Sequence, residues 1–190
     1  MKRTAATLVF CLLAGLAAAQ GKPQDLPAPP SEKWFSLAKT SSGYVAGGNM
    51  VGTLWAFHVR GNELKSLGTG SPPMFAVDGV ILQVKAVSRR VLKAGSGNVL
   101  DAHKRYEQDH QAQATKGVAF TGHDLCRNAK FAHQQWIASV PGGISQVYVT
   151  FEVGDYVLMV VSPYEDEKRR QAVANTIDEV CRSFLVEKSG

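Results

Sequence analysis

Among the five histidines, His123 stands directly before Asp124 and two residues from that pair lies Cys126. An adjacent imidazole and carboxylate have the letters of the His-Asp dyad of metal phosphohydrolases, in which the two side chains share a cation that activates water. His133 is the next imidazole that could join them. Such dyads sit in helical arrays, whereas Gly122 and the strand-like pattern nearby place this pair in a loop. A histidine hydrogen-bonded beside a cysteine bridge is the alternative meaning. His103 and Glu107 are four residues apart and could share a helix face, but the second histidine of an HExxH pattern is missing. His110 lies two helical turns from His103, about 10 Å along the axis. These residues are expected on the solvent face of a helix. His58 and His133 fall in expected strands, where sheet neighbours satisfy them.

No GxSxG elbow and no SxxK occurs, and Ser145 follows Gly142-Gly143-Ile144 at a hairpin with no helix to make an oxyanion site. Gly68-Thr69-Gly70 and Gly95-Ser96-Gly97 are too short for a phosphate cradle and lack its Lys and Ser/Thr. Glu63, Glu107, Asp124 and Glu152 could furnish a carboxylate pair, but no spacing joins any two. No catalytic residue and no cofactor is assigned, and for metal only the His123, Asp124, His133 set is carried forward.

The elements that would position these groups begin after an export signal. Lys2 and Arg3 precede an apolar run from Ala5 to Leu16, and Ala17-Ala18-Ala19 is a small-residue cleavage site, so residues 1-19 read as a signal peptide. The run is about 12 residues where a membrane span needs roughly 20, and no later stretch is long enough to span. Cys11 goes with the signal. Residues 20-31, with Pro23, Pro27, Pro29 and Pro30, form a Pro-rich leader, and a single domain is expected over 32-188. Export implies an oxidising compartment, secreted or periplasmic, where Cys126 and Cys181 are expected to form a disulfide closing a loop of about 55 residues.

The 190-residue chain carries 21 Lys and Arg against 16 Asp and Glu, and without Lys2 and Arg3 the excess falls to three. Its densest basic runs are only Arg89-Arg90 and Lys168-Arg169-Arg170, so the stripe of a nucleic-acid binder is missing.

Val147, Val149, Phe151 and Val153 alternate with Gln146, Tyr148, Thr150 and Glu152, the period of a strand with one buried and one wetted face. Gly154-Asp155 makes a hairpin turn into Tyr156 to Val161, a strand buried on both faces. With Phe131 to Val140 upstream, residues 131 to 162 form a three-stranded antiparallel meander. Ser162-Pro163-Tyr164-Glu165 reads as a helix start with a capping box. Val173, Ile177, Val180, Cys181 and Phe184 then make the inward face of a helix running to about Val186. A middle helix runs from Val99 to Ala114, capped by Asn98 and mostly polar. Thr53 to Arg60, Phe75 to Val77, Val80 to about Val91 and Gly117 to Thr121 read as strands, while Trp34 to Val51 is too rich in Gly and Ser to assign. The fold class is α+β, one antiparallel sheet covered by a middle helix and a C-terminal helix.

The late meander with Val153-Gly154-Asp155-Tyr156-Val157-Leu158, and the last helix ending Ile177-Asp178-Glu179-Val180-Cys181-Arg182-Ser183-Phe184, resemble the PsbP-like α/β/α sandwich superfamily, which includes small exported bacterial proteins. The resemblance spans residues 50 to 186 and is one of pattern. It implies the sandwich fold and a habit of partner binding, and no shared enzymatic chemistry. The expectation is a non-catalytic envelope or secreted protein that binds another protein or a small ligand, with Ser41 to Gly52 and Gly68 to Pro73 as its binding edge. The alternatives are a metal-assisted hydrolase and a peripheral membrane-surface protein, the latter motivated by the basic excess and by an exposed Trp34-Phe35.

Overall fold

The apolar alternation after Gln146 builds the centre of the molecule. In the computed structural model, which describes residues 34–68, 72–92, 97–164 and 167–188, the chain runs β1 (Ser36–Thr40), β2 (Gly43–Met50), β3 (Thr53–Arg60), β4 (Leu64–Gly68), β5 (Met74–Val77), β6 (Val80–Ser88), α1 (Val99–Ala114), β7 (Ala119–Thr121), β8 (His133–Ser139), β9 (Gln146–Val153), β10 (Tyr156–Pro163), α2 (Glu167–Ser183) and β11 (Leu185–Lys188). The signal peptide and Pro-rich leader lie outside the described residues. The fold is α+β, but with two antiparallel sheets where one was expected. One has the order β1-β2-β3-β11, the other β4-β5-β6-β10-β9-β8-β7.

The expected meander is present as β8, β9 and β10, paired side by side and antiparallel. Gly154 turns the β9–β10 hairpin at φ 57°, a conformation that favours a residue without a Cβ. Odd-numbered residues of β9 face inward with Leu158 and Val160 of β10. There they meet Trp55, Phe57 and Val59 of β3, and Val173, Ile177, Val180 and Phe184 at and just beyond α2. The small sheet and α2 thus cover one face of the large sheet, and α1 covers the other.

Three expectations need correction, and one stretch without an assignment is now placed. Of the even-numbered positions of β9 only Glu152 is wetted: Gln146, Tyr148 and Thr150 are buried, because α1 lies over that face. Trp34 to Val51 holds two strands, and glycine is what permits the second. A Cβ on Gly48 would stand 1.8 Å from the Trp34 carbonyl oxygen, which also accepts a hydrogen bond from Trp55 Nε1 at 3.2 Å. Trp34 is therefore buried and Phe35 packs beside Trp55 and Phe75, so neither forms an exposed membrane-facing pair. Finally, Ser162 and Pro163 belong to β10 and not to a helix cap, and α2 ends at Ser183, after which Leu185–Lys188 pairs with β3. Glu165 and Asp166 lie outside the described residues. No helix among the described residues is long and apolar enough to cross a membrane.

Cys126 and Cys181 form a disulfide with Cα atoms 5.5 Å apart, tying the loop before β8 to α2. Both cysteines are buried, Cys181 on the inward face that its helical spacing predicts. At a sequence separation of 55, the bridge is expected to restrict the unfolded chain by about 4 kcal/mol. Replacing both cysteines by alanine should lower the urea unfolding free energy by that order. A loss below about 1 kcal/mol would show that packing alone holds α2.

Candidate functional site

Helix α1 is seated by its first turn. The Asn98 carboxamide oxygen accepts from Leu100 N at 2.9 Å and Asp101 N at 3.3 Å, and Val99 and Leu100 pack with Leu92 and Val157. Gln134 of β8 donates to Asp101 at 2.7 Å and ties the same turn to the sheet. Beyond this point the inward stripe changes character. Residues three to four apart share a helix face, so the stripe continues through His103, Glu107 and Gln111. His103 is fully buried and Gln111 nearly so.

The sheet meets this stripe with polar groups of its own. Because side chains alternate along a strand, the apolar inner residues Leu82, Val84, Val147 and Val149 leave Gln83, Lys85, Gln146 and Tyr148 on the α1 side. Tyr148 is stacked parallel on Trp136, its cross-strand partner, with ring centroids 5.0 Å apart. Its hydroxyl donates to Gln146. Gln83, Lys85, Glu107, Gln111, Gln146 and Tyr148 line a cavity of about 10 Å³, the space of one water molecule.

Neighbouring buried groups outside the cavity lining have no partner in the protein. Both ring nitrogens of His103 and the Trp136 Nε1 are buried and meet no protein hydrogen-bond partner, and the Gln111 carboxamide meets none beyond its approach to the Tyr148 hydroxyl. His103 Nε2 stands 3.8 Å from Glu107 Oε1, beyond hydrogen-bonding reach. Burial shifts the titrating members. It lowers His103 to about 4, assisted by the Lys85 cation, so the imidazole is neutral near pH 7. It raises Glu107, against the opposing pull of Lys85 and His110. Desolvation likewise raises the Tyr148 phenol, with the Glu107 charge adding to it and a side-chain hydrogen bond with Gln111 opposing it. The cluster therefore holds neutral donors and acceptors around one cation and one carboxyl. It contains no activated nucleophile. What it offers is hydrogen-bond donors and acceptors around a cavity the size of one water molecule.

His103 and Glu107 are thus not the solvent-facing residues expected from the sequence. The stripe is polar yet inward, because the strand face beneath it is polar too. The weaker metal candidates are placed apart in character. His123 and Asp124 are exposed in the loop before Cys126, with the His123 ring edge-on to Tyr164 at 6.3 Å. His133 opens β8, where its Nδ1 lies 3.2 Å from the Phe131 carbonyl and its ring 6.3 Å from Phe151. Among the described residues no group of three or more His, Cys, Asp or Glu is placed to hold a metal ion. His58 lies in β3 as expected, but α2 satisfies it as well as the sheet, through Glu179 at 2.9 Å.

No protein-family model matches this chain, and no curated protein does. What the residues beneath α1 do is carried by their geometry.

The His103 shift has a sign that can be measured. Between pH 6.5 and about 4 the unfolded chain binds a proton at residue 103 that the folded chain refuses, so stability falls as pH falls across that window. The loss reaches about 3 kcal/mol. Glu107 acts oppositely: its raised folded value gives stability that is full at acid pH and is lost as pH rises through that value. His103→Gln should remove the acid-side loss. Unfolding free energies in urea from pH 7 to 4 should fall less steeply for the variant than for the parent, and equal slopes would contradict a buried neutral His103.

Proposed function

We propose that the chain is an exported binding protein of the cell envelope, secreted or periplasmic, that takes a small polar ligand between α1 and the large sheet when α1 lifts, since the closed seam has room for about one water molecule. The observation that carries this reading is the set of buried polar atoms on His103 and Trp136 that find no partner in the protein, beside the Gln111 carboxamide. Each such atom costs about 1–3 kcal/mol relative to a satisfied one. Leucine or valine at these places would extend the apolar packing of Met159 and Val161 beside them. In this reading the unpaired polar atoms under α1 serve an occupant that hydrogen-bonds to them. Helix α1 is the cover. Its apolar anchorage is confined to Val99 and Leu100 in its first turn.

Export is supported by the A-x-A signal pattern and by the buried Cys126–Cys181 bridge, which suits an oxidising compartment. Membership of the PsbP-like sandwich superfamily is proposed on the pattern of β9, β10 and α2, and a partner-binding habit would accord with it. The reading requires no cofactor and no nucleic acid.

Filling the seam with apolar side chains separates the ligand role from a structural one. His103→Leu together with Gln111→Leu should raise the unfolding free energy by about 1 kcal/mol or more per site and abolish binding. Thermal melts against a panel of amino acids, sugars and small organic acids read both effects. The parent should be raised by at least one class and the double variant by none. A variant less stable than the parent, or no response of the parent to any class, would overturn the assignment.

A further inference from the structure

Away from the seam, the β1–β2 hairpin brings together three side chains that no sequence motif joins. The turn carries Ser42, which is exposed, and its hydroxyl oxygen lies 3.3 Å from His58 Nε2 on β3. The other ring nitrogen of His58, Nδ1, is 2.9 Å from Glu179 Oε1 on α2. The imidazole and the carboxylate are mostly covered, their side chains 20% and 12% exposed. Serine hydroxyl, imidazole and carboxylate in this order are the elements of general-base activation: the acid fixes the tautomer that leaves Nε2 free to accept the hydroxyl proton.

The relay is rigidly mounted. Ser183, one turn after Glu179 on α2, accepts from the His58 backbone N–H at 2.9 Å and donates to the Glu179 carbonyl at 2.6 Å. The strand that carries the base is thereby clamped to the helix that carries the acid. Arg60 lies across from Gly43 in the β2–β3 register, next along the chain from Ser42, and its Nε is 3.1 Å from Glu179 Oε1. The Arg60 side chain is otherwise mostly exposed, and its ion pair adds a second hold on the Glu179 carboxylate. Thr40 Oγ1 is a second hydroxyl at 3.3 Å from Nε2, but it is partly buried and also lies 3.4 Å from Ser42 N.

We propose that Ser42 is a nucleophile, with His58 as its general base and Glu179 as the group that orients His58. The site takes short, unhindered acyl esters, because an exposed turn offers no enclosed acyl pocket. Ser42 Oγ bonds to the acyl carbon as its proton passes to His58 Nε2. The ester C–O bond breaks, and the leaving alkoxide takes that proton away as alcohol. Water then attacks the acyl-serine with the same base, releasing the carboxylic acid and restoring Ser42. Ester and water thus become acid and alcohol, with no other reactant. This site shares no residue with the seam, and neither result bears on the other.

The test is labelling of the folded, oxidised protein with a fluorophosphonate probe, with the adduct mapped by mass spectrometry, beside release of nitrophenol from p-nitrophenyl acetate. The adduct should sit on Ser42. Ser42→Ala and His58→Ala should each lower both readouts by about tenfold or more, the low side of what a positioned base contributes, while Thr40→Val keeps them. Ser42 lies in an exposed turn, so Ser42→Ala reads chemistry and not folding, and melting curves of His58→Ala check the fold. An adduct absent, mapped to Thr40 or Ser41, or surviving His58→Ala would overturn the proposal. Ester release that persists in Ser42→Ala would overturn it too, by showing the imidazole acting alone.

Discussion

The β9–β10 ribbon is buried on both faces, and covering those two faces is the constraint on which the remaining structure depends. A two-stranded ribbon cannot stand alone in water. Here Val147, Val149, Phe151, Leu158 and Val160 point to one side, and Gln146, Tyr148, Thr150, Met159 and Val161 to the other. The first side is closed by apolar packing from the small sheet and α2, with Phe151 and Phe184 stacked 3.9 Å apart and the Cys126–Cys181 bridge behind them. The second is closed by α1, whose inward stripe is polar after its first turn. The two halves of the molecule therefore differ in what holds them. One is a sealed core, the other a seam of amides, one imidazole, one carboxyl and one ammonium.

That difference places function. An apolar contact strengthens with area and excludes water from its whole extent, so α2 and the small sheet form a fixed scaffold. A polar contact with unpaired members is held less firmly, and water or a ligand can compete for its groups. Helix α1 is thereby anchored at Val99 and Leu100 and at the β7 strand that follows it, with the weakest hold between. The same scaffold serves the hairpin site, since Glu179 and Ser183 are on the firmly packed α2 and fix His58 from the core side.

Much of this was legible in the residues. Alternation gave β9, the Gly154 turn and β10, and helical spacing set Cys181 on the inner face of α2 opposite Cys126. Asn98 marked the start of α1 because a carboxamide there accepts the free amides. The less legible parts have physical causes. Glycine opposes strand formation in isolation, so β2 could not be read until the close approach of the Trp34 carbonyl showed why Gly48 is needed. Polar residues on a strand suggest solvent, so Gln146 and Tyr148 read as wetted, and His103 on a polar helix read as surface. Each was consistent alone. Only their placement face to face shows that the two polar stripes bury each other. The contact of His58 with Ser42 and Glu179 was out of reach for a similar reason, since 121 residues separate the histidine from its acid.

Hydrogen exchange of the native protein tests most directly whether α1 is a cover held by a polar seam. Amides of Ala102 to Gln111 should exchange through a local opening whose free energy lies at least about 2 kcal/mol below that of β9 and β10, which should exchange only on global unfolding. Exchange of α1 at the same free energy as β9 and β10 would contradict the account, because it would make the helix part of the sealed core.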